Sequence, residues 1–222
     1  MRTDLPSGTA AELSVPAGPP TRGLVIIPDI AGLRPLFDDL AARLSAELHW
    51  AVAVFDPFAG REFGDIDERF AAVSTLDDDR VIGDAEACAD LLTERTHVAR
   101  VALMGFCMGG MYAYKGATSG RFDRAVTFYG MIKVPLMWRG ADQKEPLAKL
   151  AERRGCPILS IIAGNDPYTP PQDVAELKQF GPLITAVMFP DADHGFVHDP
   201  GRPTHRAHDA AEAWRQVYGF LA

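Results

Sequence analysis

Cysteine is scarce in this sequence: Cys88, Cys107 and Cys156 are its three cysteines among 222 residues. They are too few and too widely spaced for a disulfide framework or for a structural zinc site built on paired cysteines. Thiols used so sparingly are typical of a reducing compartment. We therefore expect a cytoplasmic protein.

Long apolar runs and an excess of positive charge are lacking as well. No segment approaches the roughly 18 unbroken apolar residues that a membrane span needs, and residues 1–22 lack the apolar centre of a signal peptide. Acidic residues outnumber basic ones by 30 to 22, which gives a formal net charge of −8. This balance argues against nucleic acid or an anionic membrane as the main partner. We expect a small-molecule partner and a monomer or small homo-oligomer.

Internal repeats, low-complexity tracts and linkers are also missing from the sequence. With 47% hydrophobic residues the chain can bury a sizeable core, and we predict one domain over residues 1–222. Residues 1–22 are rich in proline, glycine and threonine. They are interpreted as an N-terminal extension or as the source of one edge strand around Leu13–Val15.

From residue 23 onward, short apolar segments alternate with amphipathic ones. Strands are predicted at 23–30, 50–58, 100–106, 124–130, 156–164 and 185–190, and helices at 34–48, 77–95, 109–118, 144–154, 171–180 and 204–221. Residues 59–76 are predicted to be irregular. The alternation indicates an α/β fold with a mostly parallel sheet covered by helices on both faces. Ligands of such sheets bind beyond the carboxyl ends of the strands, which directs attention to Asp29, Asp56, Cys107, Tyr129, Asp166 and His194.

The segment "GFCMGG" places Cys107 between a predicted strand and a predicted helix. It has the glycine-x-nucleophile-x-glycine form of a nucleophile elbow, in which a sharp turn lifts the central side chain above the sheet. Gly105 and Gly109 fit the crowded positions on either side, and the helix N-terminus favours a thiolate. The alternative is a buried structural cysteine in a glycine-rich turn. Cys88 and Cys156 are interpreted as small core residues.

A thiol nucleophile needs a base, and an imidazole base needs a carboxylate to orient it. In folds with this elbow the chain order is nucleophile, acid, histidine. Asp166 follows the strand "ILSIIAG" and His194 lies in "DADHGF" after the last strand, so these two residues are the candidates. The alternatives are a turn aspartate and a surface histidine.

A metal site is the other interpretation of the histidines near the C-terminus. His194, His198, His205 and His208 lie close in sequence to Asp191, Asp193 and Asp199. They lack the H-E-x-x-H and C-x-x-C spacings of known sites. We therefore predict neither a metal nor another cofactor.

Together, "VIIPDIAGL", "GFCMGG", "AGNDPYTPP" and "DADHGF" resemble the dienelactone hydrolases, cysteine-dependent members of the α/β-hydrolase superfamily. The resemblance extends in order from about Gly23 to near the C-terminus. It implies the α/β-hydrolase fold and a triad of Cys107, His194 and Asp166. It also implies an oxyanion hole from the backbone N–H groups of Ile30 and Met108. The implied activity is hydrolysis of carboxylic esters or lactones through an acyl-thioester.

The chain departs from the family at the acidic residue after the first long strand, where the family's glutamate is replaced by Asp29. In the family this residue is thought to take the proton of the thiol once substrate binds. If the shorter Asp29 reaches the sulfur, it acts in the same way. We expect this alternative, because the following residue, Ile30, aligns with the oxyanion donor and places Asp29 beside the cysteine. If Asp29 does not reach the sulfur, Cys107 pairs with His194 alone as a thiolate–imidazolium pair. A third alternative is that Asp29 only caps a turn after Pro28.

Substrate-binding residues are predicted less directly. The family binds a substrate carboxylate with two arginines; one position holds His198 here, and Arg69 is a loose match to the other. Both are expected to meet a substrate carboxylate, with solvated surface residues as the alternative. Phe58, Tyr129 and Phe196 are expected as apolar walls of the site, with plain core residues as the alternative.

Two other functions are compatible with the sequence. One is a general carboxylesterase or thioesterase without carboxylate recognition. The other is a non-hydrolytic protein that uses the reactive thiol for binding or redox sensing, although sensing does not require an oriented histidine.

Overall fold

The computed structural model describes residues 1–152 and 155–222. Within these ranges the chain forms an eight-stranded sheet and seven α-helices. The strands are β1 (Arg2–Asp4), β2 (Ala10–Ser14), β3 (Arg22–Ile27), β4 (Trp50–Phe55), β5 (Val101–Phe106), β6 (Ala125–Phe128), β7 (Ile158–Ala163) and β8 (Ile184–Phe189). The helices are α1 (Pro35–Leu48), α2 (Ile66–Ala72), α3 (Asp78–Thr96), α4 (Met108–Gly116), α5 (Pro146–Glu152), α6 (Pro171–Lys178) and α7 (Ala207–Leu221).

The sheet is mostly parallel, as the alternation of segments predicts. Its strand order is β1-β2-β4-β3-β5-β6-β7-β8. Strands β1 and β2 pair antiparallel at one edge, and every pairing from β4 to β8 is parallel. All residues of β3 to β7 are buried. Burial of whole strands requires cover on both faces of the sheet, and this explains why these segments are apolar throughout rather than alternating.

The order of the strands reverses around β3, which pairs with β4 on one side and with β5 on the other. The loops that leave β3 and β5 therefore diverge at the carboxyl edge and open a crevice between them, the usual ligand position in open α/β sheets. Ile30 follows β3, and Cys107 follows β5. The topology alone thus brings these two residues to the same place.

Two parts of the chain differ from the sequence predictions. The N-terminal segment contributes two edge strands, β1 and β2, instead of one. Residues 59–76 are not irregular, because they contain α2 and a short 3-10 turn at Val73–Thr75. Helix α2 escaped the periodicity argument because Ala72 is its one buried residue. The start of α2 could have been recognised in the sequence, because Asp65 is followed three residues later by Glu68. In the structure Asp65 accepts a hydrogen bond from the Glu68 N–H at 2.9 Å.

The predicted helix at 144–154 is observed as α5, and the last two predicted residues lie outside the described residues. Within the described part of the chain, no helix is long and apolar enough to cross a membrane.

Candidate active site

Cys107 lies at the turn between β5 and α4, with φ 56° and ψ −118°. A positive φ is costly for a residue with a side chain and persists only where the surrounding structure holds it. The turn directs the side chain away from the strand, and the thiol is only 6% exposed. These are the properties of a nucleophile elbow.

The glycines on either side of Cys107 explain how so tight a turn is possible. A Cβ atom added to Gly105 would lie 2.0 Å from the carbonyl oxygen of Gly109. A Cβ added to Gly109 would lie 2.1 Å from the carbonyl oxygen of Ile27, at the end of β3. Both distances are far inside van der Waals contact. The first turn of α4 therefore packs directly against the end of β3, which places Cys107 beside the loop that follows that strand.

Two backbone N–H groups border this position. Met108 is the first residue of α4, and the N–H groups of a first helical turn have no partner inside the helix. Ile30 lies in the loop after β3, and within the described residues its N–H donates to no backbone carbonyl. Both groups therefore have no backbone acceptor in the described part of the chain, as the donors of an oxyanion hole require.

His194 and Asp166 come together although 28 residues separate them in the sequence. His194 follows β8 and Asp166 follows β7. The Nδ1 atom of His194 lies 2.6 Å from Oδ2 of Asp166. The other carboxylate oxygen, Oδ1, accepts the N–H of Tyr168 at 2.8 Å, so both oxygens are fixed. This contact holds the imidazole ring with Nε2 directed away from Asp166.

The pKa of His194 depends on Cys107 as well as on Asp166. Burial lowers the pKa of His194, but the Cys107 thiolate and the Asp166 carboxylate outweigh it and raise the pKa to about 10. The Nε2 atom is buried and makes no hydrogen bond within the described residues. Cys107 and Asp166 therefore both favour the protonated form of the His194 imidazole.

Asp29 lies beside these residues but is engaged elsewhere. Its Oδ1 accepts from Arg34 at 2.6 Å and from the Ala31 N–H at 3.0 Å. Its Oδ2 accepts from His198 at 2.8 Å and from Arg202 at 3.0 Å. Burial alone would raise the pKa of Asp29, but hydrogen bonds from His198 and Arg34 outweigh it and hold the pKa well below its usual range.

This environment argues against the expectation that Asp29 takes the proton of the thiol. A carboxylate that several donors stabilise in its charged form is a poor proton acceptor. Within the described residues, Asp29 makes no hydrogen bond with Cys107. The second alternative, in which Cys107 pairs with His194 alone, fits these contacts better.

His198 was expected to meet a substrate carboxylate, and its placement argues against that role. Its side chain is fully buried. The Nε2 atom is bonded to Asp29, and Nδ1 is bonded to the hydroxyl of Tyr129. Burial lowers the pKa of His198, which disfavours the cationic form that would attract an anion. Neither nitrogen is left for a substrate.

The three predicted wall residues Phe58, Tyr129 and Phe196 are also buried, each at 1% exposure or less. Tyr129 and Phe196 pack on each other with ring centroids 5.8 Å apart. Their burial favours the alternative in which they are core residues around the site. Tyr129 nevertheless lies close to the triad, because its ring centroid is 5.1 Å from that of His194.

Arg69, the other predicted carboxylate-binding residue, lies on α2 and is close to Gly32 in the loop after β3. Its guanidinium lies 5.5 Å from the ring centroid of Phe58 and 4.7 Å from that of Phe63. A Cβ added to Gly32 would lie 2.9 Å from Nη1 of Arg69, so the cation contacts the loop that carries Ile30. It is half-buried and forms no ion pair within the described residues.

Several residues around the site were not predicted. Tyr168 packs edge-on against His194, with ring centroids 5.3 Å apart. Arg34 and Arg202 hold Asp29, as described above. Tyr168 could have been found from its position in the loop after Asp166. Nothing in the local sequence links Arg202 to a residue 173 positions earlier.

The histidines and aspartates considered as a metal site do not converge. His194 faces Asp166, and His198 faces Asp29 and Tyr129. Among residues 1–152 and 155–222, no three histidine, cysteine, aspartate or glutamate side chains are grouped as metal ligands.

Comparison with known proteins identifies the family whose model this chain matches. The model of the dienelactone hydrolase family matches residues 9–222. A Bradyrhizobium protein named a probable 2-oxo-3-(5-oxofuran-2-ylidene)propanoate lactonase is 25% identical over 208 residues, covering 89% of this chain and 82% of that protein. The carboxymethylenebutenolidase of Pseudomonas putida is 27% identical over 194 residues, covering 82% of this chain and 77% of the enzyme.

The fold is shared with solved structures as well. A protein of Klebsiella pneumoniae subsp. pneumoniae MGH 78578, titled as a candidate dienelactone hydrolase, superimposes with a TM-score of 0.87 at 22% identity. The match covers 99% of this chain and 96% of the other. At this identity the likeness establishes the common architecture.

Proposed function

We propose that Cys107 is the nucleophile of this chain, which belongs to the dienelactone hydrolase family and is a hydrolase of carboxylic esters or lactones. His194 is the general acid–base and Asp166 orients it. Three observations carry this proposal: the strained turn at Cys107, the 2.6 Å contact between His194 and Asp166, and the raised pKa of His194, to which Cys107 contributes.

In the first half of the reaction, the Cys107 thiolate attacks the acyl carbon of the substrate and a C–S bond forms. The carbonyl oxygen becomes an oxyanion, which accepts hydrogen bonds from the N–H groups of Ile30 and Met108. One such donor contributes roughly 3–4 kcal/mol in comparable enzymes. The C–O bond then breaks, and the His194 imidazolium gives its proton to the leaving oxygen. In a lactone, that oxygen remains tethered to the acyl group.

In the second half, neutral His194 takes a proton from a water molecule, whose oxygen attacks the thioester. The C–S bond breaks, the carboxylic acid leaves, and the thiolate–imidazolium pair forms again. Asp166 stabilises the imidazolium at each stage without taking its proton. The cycle uses water as its one co-reactant.

The substrate class is inferred from Arg69 and from the relatives. Their names describe a propanoate lactone and a carboxymethyl-bearing butenolide, which are lactones with an acid group attached. Arg69 is a cation that forms no ion pair among the described residues, although the Asp56 carboxylate, like the Arg69 guanidinium, approaches Gly32 in the loop after β3. An arginine in such a position suits bidentate binding of a carboxylate. We infer that the preferred substrate is a small lactone or ester that carries a carboxylate.

The test is a comparison of p-nitrophenyl acetate with a lactone that carries a free carboxylate, for the wild type and Cys107→Ala. We expect the wild type to hydrolyse both, with the higher kcat/KM for the acidic lactone, and the variant to hydrolyse neither. Equal use of neutral esters would support the general esterase instead. No turnover of any ester, together with reversible oxidation of Cys107, would support the redox sensor. The cytoplasmic location, the single domain and the oligomeric state remain predictions.

A further inference from the structure

A buried chain of hydrogen bonds runs behind the triad through Tyr129, His198 and Asp29. The tyrosine hydroxyl meets Nδ1 of His198, and Nε2 of His198 lies 2.8 Å from Oδ2 of Asp29. Asp29 is ionised, because its pKa is held low, and can only accept. Nε2 of His198 therefore carries the proton and donates it. Nδ1 of the neutral ring then accepts the O–H of Tyr129.

The far end of this chain is anchored to two arginines. Arg34 binds both oxygens of Asp29, at 2.6 and 2.9 Å, and Arg202 binds Oδ2 at 3.0 Å. Both arginines are partly exposed, whereas Asp29 and His198 have side chains at most 1% exposed. Arg34 and Arg202 thus hold Asp29 in place, and Asp29 in turn fixes the position of His198.

The imidazole of His198 is also held by aromatic neighbours. It stacks on Phe37, with an interplanar angle of 23° and ring centroids 5.7 Å apart, and packs on Phe106 at 5.0 Å. A ring that is packed on its faces and bonded at both nitrogens has one available orientation.

The near end of the chain contacts the triad. Tyr129 packs edge-on against His194, with ring centroids 5.1 Å apart and an interplanar angle of 63°. Tyr168 contacts the same imidazole at 5.3 Å and 69°. Tyr129 adopts φ 39°, an unfavourable conformation for a residue with a side chain. The backbone conformation of Tyr129 is therefore unfavourable, and the hydrogen bond from its hydroxyl to His198 helps to hold the ring in position.

We propose that His198 and Tyr129 are positioning residues of the triad: His198 holds the Tyr129 hydroxyl, and the Tyr129 ring holds His194 between Asp166 and Cys107. The inference rests on the proposed function in taking His194 as the base. Neither residue touches the substrate, and each acts through its neighbour. Their burial, which argues against the substrate-binding role expected from the sequence, is what this positioning role requires.

The physical reason is the precision that a proton-transferring imidazole needs. His194 must direct Nδ1 to Asp166 and Nε2 to Cys107 at the same time. Asp166 fixes one nitrogen, but rotation about that hydrogen bond would still move Nε2 away from the sulfur. An aromatic wall on the ring limits this rotation. Misplacement by about 1 Å costs up to about a hundredfold in rate.

Two substitutions of His198 separate its two hydrogen bonds. In His198→Asn the amide oxygen stands near the place of Nδ1 and can accept the Tyr129 O–H. In His198→Gln the amide nitrogen stands near the place of Nε2 and can donate to Asp29, but the acceptor for Tyr129 is lost. Tyr129→Phe removes the same hydrogen bond from the other side and deletes one oxygen only.

We expect His198→Gln and Tyr129→Phe each to lower kcat about tenfold to a hundredfold with KM little changed. His198→Asn should retain most of kcat. The double variant His198→Gln/Tyr129→Phe should be no slower than either single one, because both remove one shared contact. Iodoacetamide should alkylate Cys107 more slowly near pH 7 in the two slow variants, since a displaced His194 supports the thiolate less well.

The alkylation rate needs no substrate, so it tests this inference even if the wild type hydrolyses no ester that is tried. Wild-type kcat and an unchanged pH profile of alkylation in both Tyr129→Phe and His198→Gln would overturn it, whether or not the melting temperature falls. Losses that add in the double variant would also overturn it. Near-UV circular dichroism establishes which variants fold, and Tyr129→Phe carries the test alone if His198→Gln does not.

Discussion

The Nδ1 atom of His194 lies 2.6 Å from Oδ2 of Asp166, in a loop at the carboxyl edge of the sheet, while the His194 side chain is 18% exposed. Because His194 is the proposed general acid–base, we expect His194→Ala to lower kcat by at least about 10²-fold, the contribution of general acid–base catalysis. The melting temperature should fall as well, because the substitution removes contacts with Tyr129 and Tyr168 and the partner of buried Asp166.

The matched control for this variant is His208→Ala. His208 is 95% exposed and lies at the start of α7, next to Asp209. Its removal should change neither activity nor melting temperature. Activity close to that of the wild type in folded His194→Ala would show that the triad is assigned wrongly.

The three thiols should differ in reactivity. Burial raises the pKa of Cys88 well above its usual range and that of Cys156 to about 12. Cys107 lies at a helix N-terminus beside the His194 imidazolium, which stabilises a thiolate. Limited iodoacetamide labelling with peptide mapping should find Cys107 alkylated first. Faster labelling of either other cysteine, with activity retained, would contradict the assignment.

The pH dependence of this labelling reports on the ion pair. Because the pKa of His194 is raised to about 10, its imidazolium is present from acidic pH up to about that value. An imidazolium beside a thiol favours the reactive form of the thiol. We therefore expect Cys107 to be alkylated faster in the wild type than in His194→Gln at pH values below about 10, where His194 is protonated. Superimposable profiles would show that His194 does not support the thiolate.

Asp29→Asn should destabilise the protein at neutral pH. The substitution removes a buried charge that Arg34, His198 and Arg202 contact, and breaking one partner of a buried ion pair costs about 3–5 kcal/mol. The folded-state pKa of Asp29 is depressed. Its stabilisation is thus complete above the unfolded value of about 3.9 and is lost as the pH falls below it.

Denaturant unfolding of the wild type and Asp29→Asn should accordingly show a large difference in free energy at pH 7 that shrinks toward pH 3. Thiolate absorbance of Cys107 should titrate alike in both proteins where both are folded. A shifted thiolate titration in Asp29→Asn, with unchanged stability, would restore Asp29 as the activating base.

Arg69→Met should raise KM for a lactone that carries a carboxylate and leave KM for a neutral ester unchanged. The rationale is that Arg69 is a cation without an ion pair in the described residues, close to Gly32 in the loop after β3. Arg61→Met is the control, because Arg61 packs on the same Phe63 ring at 5.3 Å but bonds to Thr75. Equal effects of the two variants on both substrates would exclude Arg69 as the carboxylate site.

The strands and the triad candidates could be located from the sequence because their causes are local. Apolar runs reveal buried strands, the glycines around Cys107 reveal the elbow, and the order of Asp166 and His194 follows the chain. Helix α2 lacks apolar periodicity and escaped notice. The roles of Asp29 and His198 depend on contacts over 169 residues of chain, which no local pattern encodes. A position just after a strand end therefore indicated which residues lie near the carboxyl edge of the sheet. It did not indicate which partner each of them binds.

Intact-protein mass spectrometry of a trapped intermediate can show whether Cys107 carries the acyl group. His194→Asn slows the attack of water on the thioester, so brief incubation of this variant with p-nitrophenyl acetate should allow the adduct to accumulate. We predict one acetyl group per chain, mapped to Cys107 and absent from Cys107→Ala/His194→Asn. An adduct on another residue, or undiminished ester turnover by Cys107→Ala, would contradict the account.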